Sequence, residues 1–325
     1  MTIIAGFSAS GQGPAPLNLA AQLARCTGER IVAVAIVERQ WPQNADPLED
    51  EYLNYVGAQA QKSLKEMVDK LPGDLDVWRM VHQAESVPSG LTELAEEMNA
   101  DVVVVGSSSS GLLGRIALGS VTDRLVHTAA VPVAIAPRGY PLQDSRIERL
   151  TVAYGGHADE GGLVAAGAEL ARRWSATLRI ASFTVRPVTM FSGAIETSAE
   201  DLVVQQWVRR TQEKIAAQLE AVRSGVDTLD AEVVIGAGAT WRDAVEAIDW
   251  GSGDVLVLGS GAAGQVAQVF LGSAAARILR HSPVPTMIVP RREGLLQRYF
   301  RDRRWGLSVG SSRVNARPSR HRRSP

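Results

Sequence analysis

The residues with the clearest chemical potential are small ones. In the stretch Asp101–Arg138 a run of four valines, Val102–Val105, passes into Gly106, the serines Ser107–Ser110, then Gly111, Gly114, Arg115 and the pair Gly119-Ser120. A small-residue loop between a buried strand and a helix N-terminus exposes backbone N–H groups to an anion, and the helix dipole favours negative charge there. The serine hydroxyls add donors, and Arg115 adds a cation. Ser120 reads as an N-cap with Asp123 three residues on, a capping box.

The same landmarks return in Asp254–Arg291. Gly106, Gly119, Ser120 and Pro132 correspond to Gly259, Gly272, Ser273 and Pro285, each at an offset of 153. Nearer the start the offset falls to 147, pairing Ser8 with Gly155 and Ile31 with Leu178, so the second copy carries about six extra residues. The chain is a tandem duplication. Its 325 residues suit two ordinary domains, each able to bury a core.

Catalytic groups are scarce. His127 and His281 fall near helix C-terminal ends, where an imidazolium complements the dipole. His82 has Ile235 as its counterpart, which argues against a paired acid–base role. His157, beside Asp159 and Glu160, is the histidine placed nearest a strand end, and His321 belongs to the tail. No HExxH, GxSxG, CxxC or Walker A lysine motif occurs. These absences point away from an enzyme and toward a binding or regulatory module.

The elements that must position the loops alternate strand and helix, which argues for open parallel sheets covered on both faces. Copy one reads as strands Thr2–Phe7, Arg30–Val37, Asp76–Val81, Asp101–Val105 and Val131–Ala136. Helices Leu17–Cys26, Leu48–Lys70, Ser89–Met98 and Ser120–Thr128 lie between them. Copy two reads as strand Leu150–Tyr154, helix Gly162–Trp174, strand Thr177–Phe183, helix Ala199–Ser224, strand Asp230–Ile235 and helix Trp241–Trp250, then the repeated stretch. Gly139–Ser145 is a polar linker. In such sheets ligands sit beyond the carboxyl ends of the strands, where strand order reverses.

With its spacing of Gly106, Gly119-Ser120 and the same set at Gly259 and Gly272-Ser273, the chain resembles a tandem universal stress protein. The family's fingerprint is Gly, two residues, Gly, nine residues, then Gly-Ser or Gly-Thr. The resemblance covers about residues 1–290. It implies a fold of two tandem doubly wound α/β sandwiches with five parallel strands each, over 1–139 and 149–290. It also implies a stress-response protein binding an adenine nucleotide, ATP, at Ser8, Val37, Gly106, Ser109, Arg115, Gly119, Ser120 and Val121, with Gly259, Gly272 and Ser273 in copy two. The middle glycine is replaced by Ser109 and Ala262. Were that position to need positive φ, each replacement would cost about 1–2 kcal/mol, roughly a tenfold loss of affinity. Ser8 and Gly155 stand where ATP-binding members usually carry an acidic residue. Copy one, with its serines and Arg115, is the better site. The alternative is a scaffold that has lost the nucleotide and works through protein contacts. In this family terminal strands pair across a pseudo-two-fold, so Val131–Ala136 and Val284–Val289 are expected to meet within the chain, with homodimerisation left open.

Residues 291–325 differ in kind. Eleven arginines stand against Glu293 and Asp302, a formal +9; with the whole chain at −1, residues 1–290 carry −10. Leu295, Leu296, Tyr299 and Phe300 recur at helical spacing. The tail reads as a mobile extension with a charge-driven attraction to anionic lipid, nucleic acid or an acidic protein, or as an inert appendage. The sequence shows neither a long apolar run nor a signal peptide, and the single Cys26 suits a reducing cytoplasm as a buried structural thiol.

Overall fold

The computed structural model describes residues 2–8, 13–39, 47–155, 162–185, 206, 209–217, 219–220, 231–262 and 269–290. Domain 1 contains β1 (Thr2–Phe7), α1 (Ala15–Thr27), β2 (Arg30–Glu38), α2 (Pro47–Val68), β3 (Val77–Ala84), α3 (Val87–Glu97), β4 (Val102–Gly106), α4 (Ser120–Thr128) and β5 (Val133–Ala136). Domain 2 follows with β6 (Arg149–Ala153), α5 (Leu163–Trp174), β7 (Thr177–Val185), β8 (Ala231–Gly238), α6 (Trp241–Glu246) and β9 (Asp254–Gly259). It ends with the short β10 (Gly261–Ala262) and β11 (Val269–Phe270), α7 (Ser273–His281) and β12 (Thr286–Val289). Of the helix expected over 199–224, residues 209–217 are described and helical. The tail, His157 and His321 lie outside the described residues.

Each domain is doubly wound. The order β3-β2-β1-β4-β5 reverses direction at β1/β4, and β8-β7-β6-β9-β12 reverses at β6/β9. The core strands are apolar on both faces because both faces are covered. Ile3 and Ala5 point into one layer with α1, while Ile4 points into the other with Leu91, Leu94 and Leu125. All five residues of β4 are buried.

The two sheets are one sheet. β5 and β12 pair antiparallel, Ile135 opposite Thr286, Ala134 opposite Met287 and Val133 opposite Ile288, giving ten strands in a row. The expected terminal strands therefore meet within one chain. Both apolar layers run through the join, with Ala134 and Met287 in one and Ile135 and Ile288 in the other. Burying a side chain the size of Ile135, Ile288 or Met287 contributes about 1.5–3 kcal/mol, and here that gain is shared between domains.

The linker is seated, not loose. Asn18 Nδ2 donates to the Tyr140 carbonyl at 2.9 Å, and the Tyr140 hydroxyl donates to Gln22 Oε1 at 2.6 Å. The amide of Ile147 donates to Cys26 Sγ at 3.1 Å, and burial pushes the Cys26 thiol up. This explains why α1 buries Asn18 and Gln22 along with its apolar face. Gly28, at φ 68°, ends that helix in the left-handed conformation that glycine adopts freely.

Candidate functional site

The strand-order reversal at β1/β4 opens beneath the loop from β4 to α4, so the loop in question is 107–119. Its shape comes from one serine. Ser107, 2% exposed, accepts the Ala117 amide on its hydroxyl at 2.8 Å and donates back to the Ala117 carbonyl at 3.3 Å. The Ser108 amide donates to that same carbonyl at 2.8 Å. The loop is thus pinched shut across its neck. Within it, Gly111 donates to the Ser108 carbonyl at 3.1 Å, and its own carbonyl accepts from Arg138 at 2.7 Å. A Cβ at Gly111 would lie 2.8 Å from the Ala117 Cβ, so this is the loop position that must be glycine for space.

Gly106 closes β4, and its carbonyl accepts from the Thr122 hydroxyl at 3.2 Å, which ties α4 to the strand end. Gly119, at φ −92° and ψ 171°, is the N-cap of α4 with no side-chain cap, and Ser120 is the first helical residue. The expected Ser120–Asp123 capping box is therefore not formed; Ser120 has already turned into the helix and cannot reach its own first turn. Capping boxes occur instead on α3, from Ser86 and Ser89, and on α6, from Thr240 and Asp243. α4 and α7, which follow the two fingerprint loops, both carry glycine at the N-cap and no side-chain cap, as α5 does at Gly162; α1 starts from Pro14, also without one. Uncapped amides beside small residues are what an incoming anion requires.

Ser8 and Val37 lie at the carboxyl ends of β1 and β2, the latter 5% exposed, and Val121 sits in the first turn of α4. Ser109 is exposed, and its φ is not positive: among the described non-glycine residues only Asn99 and Ser175 have positive φ. The strain anticipated for a serine at the fingerprint's middle position is not incurred. The left-handed turn falls instead on Gly114, at φ 72°. Ser108 and Ser110 bond each other through their hydroxyls at 2.9 Å, leaving the exposed rim of the loop polar.

Arg115 does not stay in the loop. Its guanidinium crosses to domain 2, donating to the His281 carbonyl at 2.7 Å and pairing with the Glu246 carboxylate. Sequence reading missed this link because the partners lie 131 and 166 residues away. His281 ends α7, where burial, then the Arg242 and Arg115 charges, push its pKa down against the help a helix C-terminus would give an imidazolium. His127 Nδ1 donates to the Asp123 carbonyl, 2.6 Å away, within its own helix. His82, on the edge strand β3, lies 3.5 Å from Glu93 of α3, with β2 and β1 between it and the loop's strand β4.

The second loop has been rebuilt. Ser260, fully buried, donates to the Val289 carbonyl from both its amide and its hydroxyl, at 3.0 and 3.3 Å. Ala262 then sits in β10 opposite Val269 of β11, a two-residue ladder with no counterpart in domain 1. Gly259 closes β9, while Gly272 and Ser273 open α7 as their partners open α4. No group of three or more His, Cys, Asp or Glu residues able to hold a metal occurs among the described residues, and no described helix is long and apolar enough to cross a membrane.

Comparison with known proteins matches this architecture. The model of the "Universal stress protein family" matches residues 1–137 and again 146–290. Universal stress protein Rv2319c of Mycobacterium tuberculosis is 34% identical over 295 residues, which cover 89% of this chain and 100% of that protein. Universal stress protein MJ0531 of Methanocaldococcus jannaschii is 33% identical over 89 residues, 27% of this chain and 50% of that one. Among solved structures, a universal stress protein from Archaeoglobus fulgidus superposes with a TM-score of 0.54 at 16% identity, covering 89% of this chain and 96% of its own.

Proposed function

The chain belongs to the universal stress protein family, and from that premise we propose that it is a non-enzymatic stress-response regulator whose domain 1 binds an adenine nucleotide, ATP, at the 107–119 loop. The observation that carries this reading is the N-terminus of α4: a nine-residue helix beside the sheet's switch point whose first turn receives no side-chain cap. The phosphates would take the amides of Ser120 and Val121 together with the Ser108–Ser110 rim, and the nucleoside would lie toward Ser8 and Val37. The reading is of binding rather than hydrolysis. The unpaired, buried Cys26 fits a reducing cytoplasm.

A calorimetric titration of the full chain with ATP tests the reading. One site should fill, and Gly119→Val should abolish it. That substitution is backbone-compatible, since φ is −92° and a Cβ would meet Ser108 Cβ at 3.4 Å, an ordinary contact. Gly272→Val should leave affinity unchanged. Equal losses from both would refute the assignment to domain 1, and no heat of binding at all would refute the site. The β10–β11 ladder favours a second reading for domain 2 alone, as a nucleotide-free partner that acts through protein contacts.

A further inference from the structure

The fingerprint loop of domain 1 rests on the other domain, and the antiparallel join is the reason. Because β12 runs against β5, the end of α7 lies beside the carboxyl end of β5 and so beside loop 107–119. Arg115 meets two helix ends there: Glu246 is the last residue of α6, and His281 is the last of α7. Helix C-termini are the negative ends of their dipoles, and the carboxylate adds a full charge. Three attractions therefore hold one guanidinium, whose side chain is only 25% exposed.

The hold is transmitted to the loop through short covalent distances. The Gly114 amide donates to the Arg138 carbonyl at 2.9 Å and the Arg138 amide to the Arg115 carbonyl at 3.1 Å, so backbone on both sides of the link is fixed. Two residues on is Ala117, the partner in the Ser107 pinch; four residues on is Gly119, which sets the open end of α4. The converse contact exists too, since β11 of the domain 2 loop lies against α4.

We propose that domain 2 holds the domain 1 loop in its anion-receiving shape, with Glu246 as a positioning residue and Arg115 as the link. Seating of the domains and occupancy of the loop then stabilise each other. The opposite arrangement is a definite alternative: Arg115 as a direct phosphate ligand that Glu246 withholds. The two assign opposite signs to the loss of Glu246. The ATP arm of the test rests on the nucleotide reading of this loop, whereas the exchange arm stands without it.

The experiment compares full-length wild type with Glu246→Gln, which keeps the shape of a half-exposed side chain, and with Arg115→Met. Amide hydrogen exchange is followed at Ser108, Gly111, Gly114 and Ala117, with α3 as the internal reference. Loop exchange should quicken about two- to fivefold in Glu246→Gln and about tenfold in Arg115→Met, with α3 unchanged. ATP affinity should fall in both variants, less in the first. Unchanged loop exchange in both variants overturns the proposal. So does tighter ATP binding in Glu246→Gln alongside weaker binding in Arg115→Met. If wild type shows no ATP binding, the nucleotide reading falls, and the exchange data alone decide whether domain 2 holds the loop.

Discussion

Two glycines of the 107–119 loop should respond to alanine in opposite ways. At Gly111 a Cβ would stand 2.8 Å from Ala117 Cβ and 3.3 Å from both Ser107 Oγ and the Ser108 carbonyl. None of these atoms can swing away, because Ser107 pins Ala117 from both sides. The backbone must shift, at about 1–3 kcal/mol for overpacking. If the pinch opens, the buried Ser107 hydroxyl loses its partner for about 1–3 kcal/mol more. Reduced freedom of the unfolded chain returns about 0.4–1 kcal/mol, leaving Gly111→Ala less stable by roughly 1–4 kcal/mol. At Gly119 a Cβ makes only an ordinary contact, and φ is compatible with any residue. Its modest N-cap cost and the unfolded-state gain nearly cancel, so Gly119→Ala should lie within about 0.5 kcal/mol of wild type. Urea unfolding followed by circular dichroism measures both. ATP titration should then show Gly119→Ala weakened while its fold is intact. A Gly111→Ala variant as stable as wild type, or a Gly119→Ala variant less stable than it, would falsify the packing described for this loop.

Ser109→Gly restores the family's glycine, but since Ser109 has an ordinary φ the change should raise ATP affinity by no more than about twofold; a tenfold gain would show that the serine does obstruct the site. Asp254, 3% exposed, is shared by Arg149 at 2.8 Å and the buried Arg179 at 3.4 Å, so Asp254→Ala strands a guanidinium and should cost about 3–5 kcal/mol in urea unfolding. A loss below about 1 kcal/mol would mean that water already reaches the cluster. Glu29 is pushed up to about 7, first by burial and then by the Asp101 charge, with Arg173 of α5 at 3.7 Å opposing. Its folded pKa is above the unfolded 4.5, so the folded state keeps a proton that the unfolded chain releases. Stability from this group is full below pH 4.5 and is lost as pH rises toward 7. Thermal unfolding of Glu29→Gln across that window should show a flatter pH dependence than wild type, and parallel curves would remove Glu29 as the cause.

The sequence displayed what is local and what is periodic. Valine runs marked β4, the repeated Gly-Ser pairs marked both loop ends, and the offset of 153 marked the duplication. Even the join could be anticipated, because the terminal strands pair in the family that the chain resembles, and Val131–Ala136 and Val284–Val289 end their respective copies. The partners of Arg115 were not legible because a cation inside a small-residue loop carries no sign of where its side chain points; that depends on the antiparallel seat of a domain more than 100 residues away. The Ser120–Asp123 pattern misled for a different reason. The chain turned one residue earlier, at Gly119, and a helix start shifted by a single position changes which side chain can reach which amide. Ser107, the residue that shapes the loop, looked like one of four equivalent serines, and only its burial tells it apart.

Placing both copies in one chain changes the chemistry of the join. As separate proteins, β5 and β12 would be edge strands, each presenting a row of unpaired N–H and C=O groups that must find a partner from solution. Tethered through the short segment 137–148, much of which is pinned to α1 by Asn18, Gln22 and Cys26, the pairing becomes intramolecular, and its effective concentration no longer depends on how much protein is present. The edges left over are β3 and β8. β3 is blunted: Arg30 covers Trp78 at 3.9 Å, and Arg79 pairs with Asp69. The seam is thereby permanent, and it is the seam that carries Arg115 to Glu246. A loop whose shape depends on a neighbouring domain is safest when that domain cannot dissociate. On the proposed reading the duplication does more than double the number of loops, since one copy would keep the small-residue anion site while the other, with its β10–β11 ladder, would serve as its support.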